Sequence, residues 1–386
     1  KPVLSSGTAA PGPVSGPSGV KMSGPYDYVP PPYWLTDTKH GGAFGFATEI
    51  GPGAAVPPIE SLRLMLPPDH LWPIDDFWRF HAGGDEFKDL RLFTDALEGR
   101  YGKATGAEDY ARKAQALAYE GQRAMFEGYG RNKYTSTGVI QWMLNNAWPS
   151  MIWHLYDYFL RPGGGYYGTK KACEPVHVQY SYDDRSVAVV NDLQQPFTAL
   201  KVSAEVFDSN LASRFSQAAV VDVAADGVAR AFAIPAVPDL TTTYFVRMKL
   251  EDAAGRPVSS NFYWLSTRDD ELDWDKTEWY YTPTRRHADL KALAGLPPTT
   301  LALSSRLEPS GSEDGARVTI ANTGSALAFQ VRLKLTDDTG GPEILPVYWE
   351  DNYFALFPGE KRERRVSYPR GAAKAPAVEA EAWNVK

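Results

Sequence analysis

The chain has 386 residues, 43% hydrophobic and 23% charged, enough for two or three ordinary globular domains. Its net charge of −7 comes with no basic patch broad enough to follow a phosphate backbone, and no apolar run long enough to cross a bilayer, so neither nucleic acid nor membrane is expected as a partner. A single cysteine, Cys173, excludes an internal disulfide and a cysteine-based metal cluster, and the six histidines offer no pair at ligand spacing; no metal or cofactor is expected.

Residues 1–32 are rich in Gly, Pro and Ser, a turn-laden stretch of a length that is uncommon in compact domains and often functional. It runs into Gly24-Pro25-Tyr26-Asp27-Tyr28-Val29-Pro30-Pro31-Pro32-Tyr33-Trp34, a rigid aromatic loop bearing one acid. Next, Gly42 to Gly51 is a short apolar run that ends in Glu49 and the turn Gly51-Pro52-Gly53, as buried strands of parallel sheets do. Pro57 and Pro58 then start a short helix through Ile59, Leu62 and Leu66. A longer helix is predicted over 106–128. Thr105-Gly106-Ala107-Glu108 reads as its capping box, Tyr110, Ala114, Leu117 and Met125 fall on one face, and Gly128 and Gly130 close it. Gly138 to Leu144 is a second buried strand, followed by Asn145-Asn146-Ala147-Trp148-Pro149. Strand, helix, strand is the order of a parallel α/β sheet or barrel.

Past residue 177 the chain changes character. Short alternating segments, among them 186–191, 199–207, 243–250 and 261–266, form one set; 301–305, 317–321, 329–335 and 355–357 form another. Each set spans roughly the hundred residues of an immunoglobulin-like sandwich. A charged, aromatic connector lies between them, and Lys361-Arg362-Glu363-Arg364-Arg365 reads as the solvated face of a strand. The division is therefore an α/β unit over 1–176, sandwiches over 177–269 and 299–386, and a connector over 270–298.

Serine-hydrolase elbow, Walker loop, His-Glu-x-x-His and dinucleotide fingerprint are all absent from the sequence. What remains is a carboxylate at the end of a barrel-type strand, the face where such folds carry chemistry. Glu49 is either catalytic or a side chain leaving a strand into solvent. Trp142, beside Asn145 and Asn146, is either the aromatic floor of a sugar site with convergent amides or a core tryptophan. The Tyr26, Asp27 and Trp34 loop either faces a ligand or is a packing lid. Aromatics reach 13%, with 11 Trp and 21 Tyr, which suits both stacking on sugar rings and the filling of sandwich cores. The mildly acidic balance is permissive of a cationic ligand such as a glucosamine polymer.

Gly19 to Trp34, Gly41 to Glu49, Gln141 to Ser150, the connector from Leu272 to Pro283, Asp351-Asn352-Tyr353 and Pro358-Gly359-Glu360 together resemble the exo-β-D-glucosaminidases of glycoside hydrolase family 2. The Trp-Pro segment after Asn146 is shared across that family, whereas the Pro-Tyr-Asp-Tyr-Val-Pro-Pro loop is more particular to the glucosaminidase branch. The resemblance implies the C-terminal part of a TIM (β/α)8 barrel followed by two immunoglobulin-like sandwiches, an α/β plus all-β chain. It implies a retaining hydrolysis of chitosan or amino-sugar oligosaccharides with Glu49 as nucleophile, Trp142 under the sugar, and Asn146, Tyr26, Asp27 and Trp34 around it. It further implies that the general acid lies on an earlier strand, in a missing N-terminal half or companion chain, that this chain alone is inactive, and that the enzyme is secreted or periplasmic. A β-mannosidase-type hydrolase and a non-catalytic carbohydrate-binding sandwich protein are the alternatives.

Overall fold

The computed structural model describes residues 19–21, 24–83, 89–278, 281–308 and 312–385; most of the Gly/Pro/Ser-rich opening lies outside them. The first unit contains β1 (Val20–Lys21), α1 (Tyr33–Thr36), β2 (Gly45–Ile50), α2 (Ile59–Met65), α3 (Asp76–His81), α4 (Arg91–Tyr101), α5 (Ala107–Arg131), β3 (Ser136–Gln141) and α6 (Gly164–Ala172). Its sheet has the order β1-β2-β3 and is parallel throughout, with Val20 opposite Phe46 and Ala47 opposite Val139. Three parallel strands joined by helical crossovers make an α/β unit; they do not by themselves make a closed barrel.

α2 starts directly after Pro58, as expected of proline at a helix entrance. α5 departs from the reading at both ends. Its N-cap is Gly106, which has no side chain to give, and Asp109 instead accepts from Thr105 N and Oγ1 at 3.0 and 3.3 Å. Gly128 and Gly130 do not close the helix, which runs on to Arg131. A Cβ on Gly128 would sit 3.0 Å from Trp34 Cβ and 3.2 Å from Ala43 Cβ, so glycine there lets α5 approach α1 and the entry to β2.

The first sandwich packs β4 (Val176–Tyr180), β5 (Ser186–Asn191) and β8 (Val228–Ala233) on β6 (Phe197–Asp208), β7 (Ser213–Val223), β9 (Thr243–Glu251) and β10 (Pro257–Ser266). The sheet orders are β4-β5-β8 and β10-β9-β6-β7, around a core that includes Val178, Val189, Val202, Val246, Met248 and Tyr263. The connector holds the small β11 (Glu271–Leu272) and β12 (Thr284–Arg286) ladder. The second sandwich has β13 (Leu301–Leu307), β14 (Glu313–Asn322), β15 (Ala328–Asp337), β16 (Tyr348–Trp349), β17 (Phe354–Leu356), β18 (Lys361–Pro369) and β19 (Pro376–Glu381). These are ordered β13-β14-β18-β16 and β17-β15-β19.

Buried ion networks fasten the units together. Arg100 of α4 reaches Glu120 of α5 at 2.8 Å and Asp270 of the connector at 2.6 Å. His177 of β4 meets Glu127 of α5 at 2.9 Å, which also accepts from Tyr263 of β10 at 2.7 Å. Burial alone would strip the proton from His177, but the Glu127 and Glu174 carboxylates outweigh it and raise its pKa. In the connector, Trp274 stacks between Tyr33 and His40, 5.8 Å from each ring.

Candidate active site

Glu49 is the penultimate residue of β2, half-buried at the strand's C-terminal end. The Tyr26 hydroxyl donates to its Oε1 at 2.8 Å. Tyr26 is itself 4% exposed; its burial, and then the Glu49 carboxylate, hold the phenol protonated far above its ordinary range. Two bonds fix the Tyr26 loop over the strand end: Gly51 N donates to Pro25 O at 3.0 Å, and Trp153 Nε1 donates to Tyr26 O at 2.7 Å. Gly53, at φ 100°, passes so close that a Cβ would lie 2.6 Å from Tyr28 N, which explains why the turn after the carboxylate is glycine.

Asp27 is the next residue on that loop. Burial first, then the Asp89 and Glu278 carboxylates, push its pKa up to about 6 against the pull of Arg91. It is a carboxyl able to exchange a proton near neutrality, two residues along the chain from where the loop crosses Gly51.

Trp142 follows β3 directly, and its N–H donates to Ile50 O at 3.0 Å, which puts it beside the end of β2. Gln141 Nε2 donates to the carbonyls of Trp142 and Trp153 at 2.9 and 3.0 Å, tying down both tryptophan backbones. The Trp142 ring is 40% exposed, and the Trp153 ring lies tilted on Tyr26 with centroids 5.4 Å apart. Glu49, Tyr26, Trp142 and Trp153 are thereby gathered at one end of the β2–β3 pair, with Asp27 alongside.

The remaining expected residues divide. Asn146 is buried in its loop, donating to His154 Nδ1 at 2.8 Å, while its Oδ1 has no protein partner. Burial drives the His154 pKa down to about 3, which leaves a neutral imidazole able to accept that bond. Trp34 is not at the site: it is fully buried with Val29, Ala47, Ile50 and Met125, its ring edge-on to Tyr33 at 5.2 Å. The aromatic loop is thus divided, its Tyr26–Asp27 end over Glu49 and its Tyr33–Trp34 end in the core. Trp153 and Gln141 were missed by the sequence reading. Trp153 lies just beyond the Gln141 to Ser150 segment, and an aromatic that soon after the Trp148-Pro149 turn was the available signal.

The arrangement is a carboxylate held by a phenolic donor, with an exposed indole beside it and a second indole under the donor. A carboxylate so placed can attack an electrophilic carbon while flat apolar rings take up the faces of a bound ring.

Known proteins share this stretch of chain. Residues 279–385 match the family model of the exo-beta-D-glucosaminidase Ig-fold domain, and residues 183–267 that of the mannosidase Ig/CBM-like domain. The two sandwiches are therefore of the kinds found in exo-β-D-glucosaminidases and in mannosidases. Along 99% of its length the chain resembles the exo-β-D-glucosaminidases: it is 42% identical to that of Streptomyces avermitilis and 39% identical to that of Amycolatopsis orientalis. A crystal structure of Amycolatopsis orientalis exo-chitosanase matches 98% of this chain and 46% of its own with a TM-score of 0.92 at 38% identity, and the same enzyme has been solved with PNP-β-D-glucosamine. The chain spans about two fifths of the length of these curated relatives, 44% and 39% respectively.

Proposed function

We propose that this chain is the C-terminal part of a secreted, retaining glycoside hydrolase that removes glucosamine from the non-reducing end of chitosan or chitooligosaccharides. The observation that carries the reading is the Tyr26–Glu49 contact at a parallel strand end, in a chain 42% identical over 99% of its length to an exo-β-D-glucosaminidase. In the proposed reaction a Glu49 carboxylate oxygen bonds to C1 of the sugar as the glycosidic C1–O bond breaks. The leaving oxygen takes a proton from a general acid, and water then breaks the Glu49–C1 bond with retention. Retention needs that second carboxyl roughly 5 Å from the first. We assign it to the part of the longer protein that these residues do not cover. β1 to β3 would be strands of a (β/α)8 barrel completed by that part. The exposed Ile140 near the end of β3, and Trp142 and Leu144 just beyond it, suit the inner wall of such a barrel.

Tyr26 would hold the attacking oxygen of Glu49 toward C1 and weaken its bond to the enzyme in the second step. Trp142 would lie under the sugar ring. Asn146, bonded to His154 at 2.8 Å, would act at one remove, by holding the loop that follows Trp142. A mannosidase-type substrate is the second reading, favoured by the match of residues 183–267 to a mannosidase domain.

The test is glucosamine release from chitosan oligomers by this chain, alone and mixed with a relative's N-terminal half, each with wild-type chain and with Glu49→Gln. Activity confined to the wild-type mixture is expected. Activity of the chain alone would refute the assignment of the acid. Faster cleavage of an aryl β-mannoside than of the aryl β-glucosaminide would establish the second reading.

A further inference from the structure

The segments that follow β2 and β3 meet beyond the strand ends, on the side that carries Glu49. Met151, wholly buried, joins them: Ala55 N donates to its carbonyl at 2.9 Å, and its own N–H donates to His81 O at 2.8 Å. The segment after β3 is a hairpin. Met143 N donates to Trp153 O at 2.8 Å and Leu155 N to Leu144 O at 3.0 Å, so Trp142 and Trp153 stand together at its base and Trp148 near its tip. The tip is pinned to α3. His81 Nδ1 donates to Pro149 O at 2.5 Å, and the His81 ring lies nearly parallel to the Trp148 indole with centroids 5.7 Å apart. Phe80 stands edge-on to the same indole at 5.5 Å. Both rings stay open to water, Phe80 at 68% and Trp148 at 39% exposure, although Trp78 of the same helix is wholly buried. Large apolar groups exposed together mark places where a ligand or partner sits.

We propose that Phe80 and Trp148 form a stacking step for the leaving part of an oligosaccharide whose terminal sugar sits at Glu49. The inference rests on the reading of Glu49 as the nucleophile of a glycosidase that works from a chain end. Such an enzyme holds the terminal residue in its site, so the rest of the oligomer has to run outward over the rim. Trp148 is so near Trp153 in sequence that the step lies at most roughly 18 Å from it. Trp153 itself packs on Tyr26, the partner of Glu49, which keeps the step within reach of a short oligomer. The flat C–H faces of sugar rings pack on aromatic rings, and two such rings meeting edge to face offer them an angled seat. Asp76, one helical turn before Phe80, is bonded to Arg79 at 2.7 Å, so the step offers rings rather than an unpaired carboxylate.

The experiment compares wild type, Phe80→Ala, Trp148→Ala and Trp148→Phe, each as the full chain mixed with a relative's N-terminal half. The substrates are β-glucosaminyl fluoride, which has no leaving sugar, and the glucosamine pentamer. Phe80 is mostly in water, so Phe80→Ala is expected to fold as wild type does. A KM for the pentamer at least fivefold higher in Phe80→Ala and Trp148→Ala, largely restored in Trp148→Phe, with kcat/KM for the fluoride within twofold of wild type, is the expected result. An unchanged KM for the pentamer would overturn the step. An equal loss on both substrates would overturn it too, and would make the rings part of the joint to the rest of the longer protein. Failure of the wild-type mixture to cleave the fluoride would tell against Glu49 and not against the step. Calorimetry of the pentamer with the full chain then decides: binding weakened at least fivefold by Phe80→Ala supports the step, and binding that is absent or unchanged overturns it.

Discussion

The two sandwiches and the α/β unit solve the same problem differently. Each sandwich closes on itself: the inner faces of its two sheets meet, and residues such as Val189, Met248, Ile320 and Leu333 are almost wholly removed from water. In the α/β unit, the helices cover one side of the β1-β2-β3 sheet with Trp34, Met125 and Tyr129. Along β3 and just beyond it, Ile140, Trp142 and Leu144 stay 40–59% exposed. The site lies on that open side. Behind the sheet, the helices share one continuous apolar core with the connector and the second sandwich, through residues such as Leu97, Leu117, Leu290 and Phe329, and the buried charge contacts add to that joint.

The comparison can be broken most forcefully at those contacts. Arg100→Ala strands Glu120 and Asp270 in a buried joint between the helices and the connector, and should cost about 3–5 kcal/mol in urea unfolding. Ile320→Ala in the closed second sandwich should cost about 2–5 kcal/mol by the same measurement. A loss below 1 kcal/mol for Arg100→Ala would mean that the units are held otherwise, and for Ile320→Ala that the second sandwich does not depend on its core.

Asp27 sharpens the site side through pH. Its folded pKa of about 6 exceeds the ordinary carboxyl value of 3.8, so the native state binds the proton more tightly and stability falls as pH rises between about 4 and 6. Asp27→Asn should therefore gain roughly 3 kcal/mol at pH 8, and nothing below about pH 4. A gain that does not vary with pH would remove the electrostatic account. Tyr26→Phe breaks a hydrogen bond to a carboxylate and should cost about 1.5 kcal/mol of stability at neutral pH, read by thermal unfolding. The smallest effect belongs to the open face, where Leu144→Ala in this chain should shift stability by less than about 0.5 kcal/mol.

Much of this was legible in residue order. The apolar run into Glu49 is β2, Pro58 does precede α2, and the alternating segments 186–191, 243–250 and 329–335 lie in β5, β9 and β15. β7 and β8 were not legible. β7 is an edge strand exposed on much of both faces, so Ser213–Val223 has no apolar alternation to read. Glycine misled at α5: Gly128 reads as a helix stop, but its missing side chain serves a contact with Trp34, a residue distant in sequence. The same contact explains the misplacing of Trp34, since nothing local distinguishes an aromatic that faces a ligand from one that faces a helix. Tyr26 and Glu49 could each be named from the sequence, whereas the bond between them depends on the loop crossing that Gly51 and Trp153 fix.

The central proposal is that the Glu49 carboxylate is the nucleophile that bonds to C1 of the sugar, and it can be tested by trapping. The chain, mixed with a relative's N-terminal half, is incubated with a 5-fluoro glucosaminyl fluoride, digested, and its peptides weighed by mass spectrometry. The account predicts a single fluoroglucosaminyl addition on the peptide containing Glu49, absent from Glu49→Gln. A label on any other carboxylate, or turnover with inversion at C1 and no label, would contradict it.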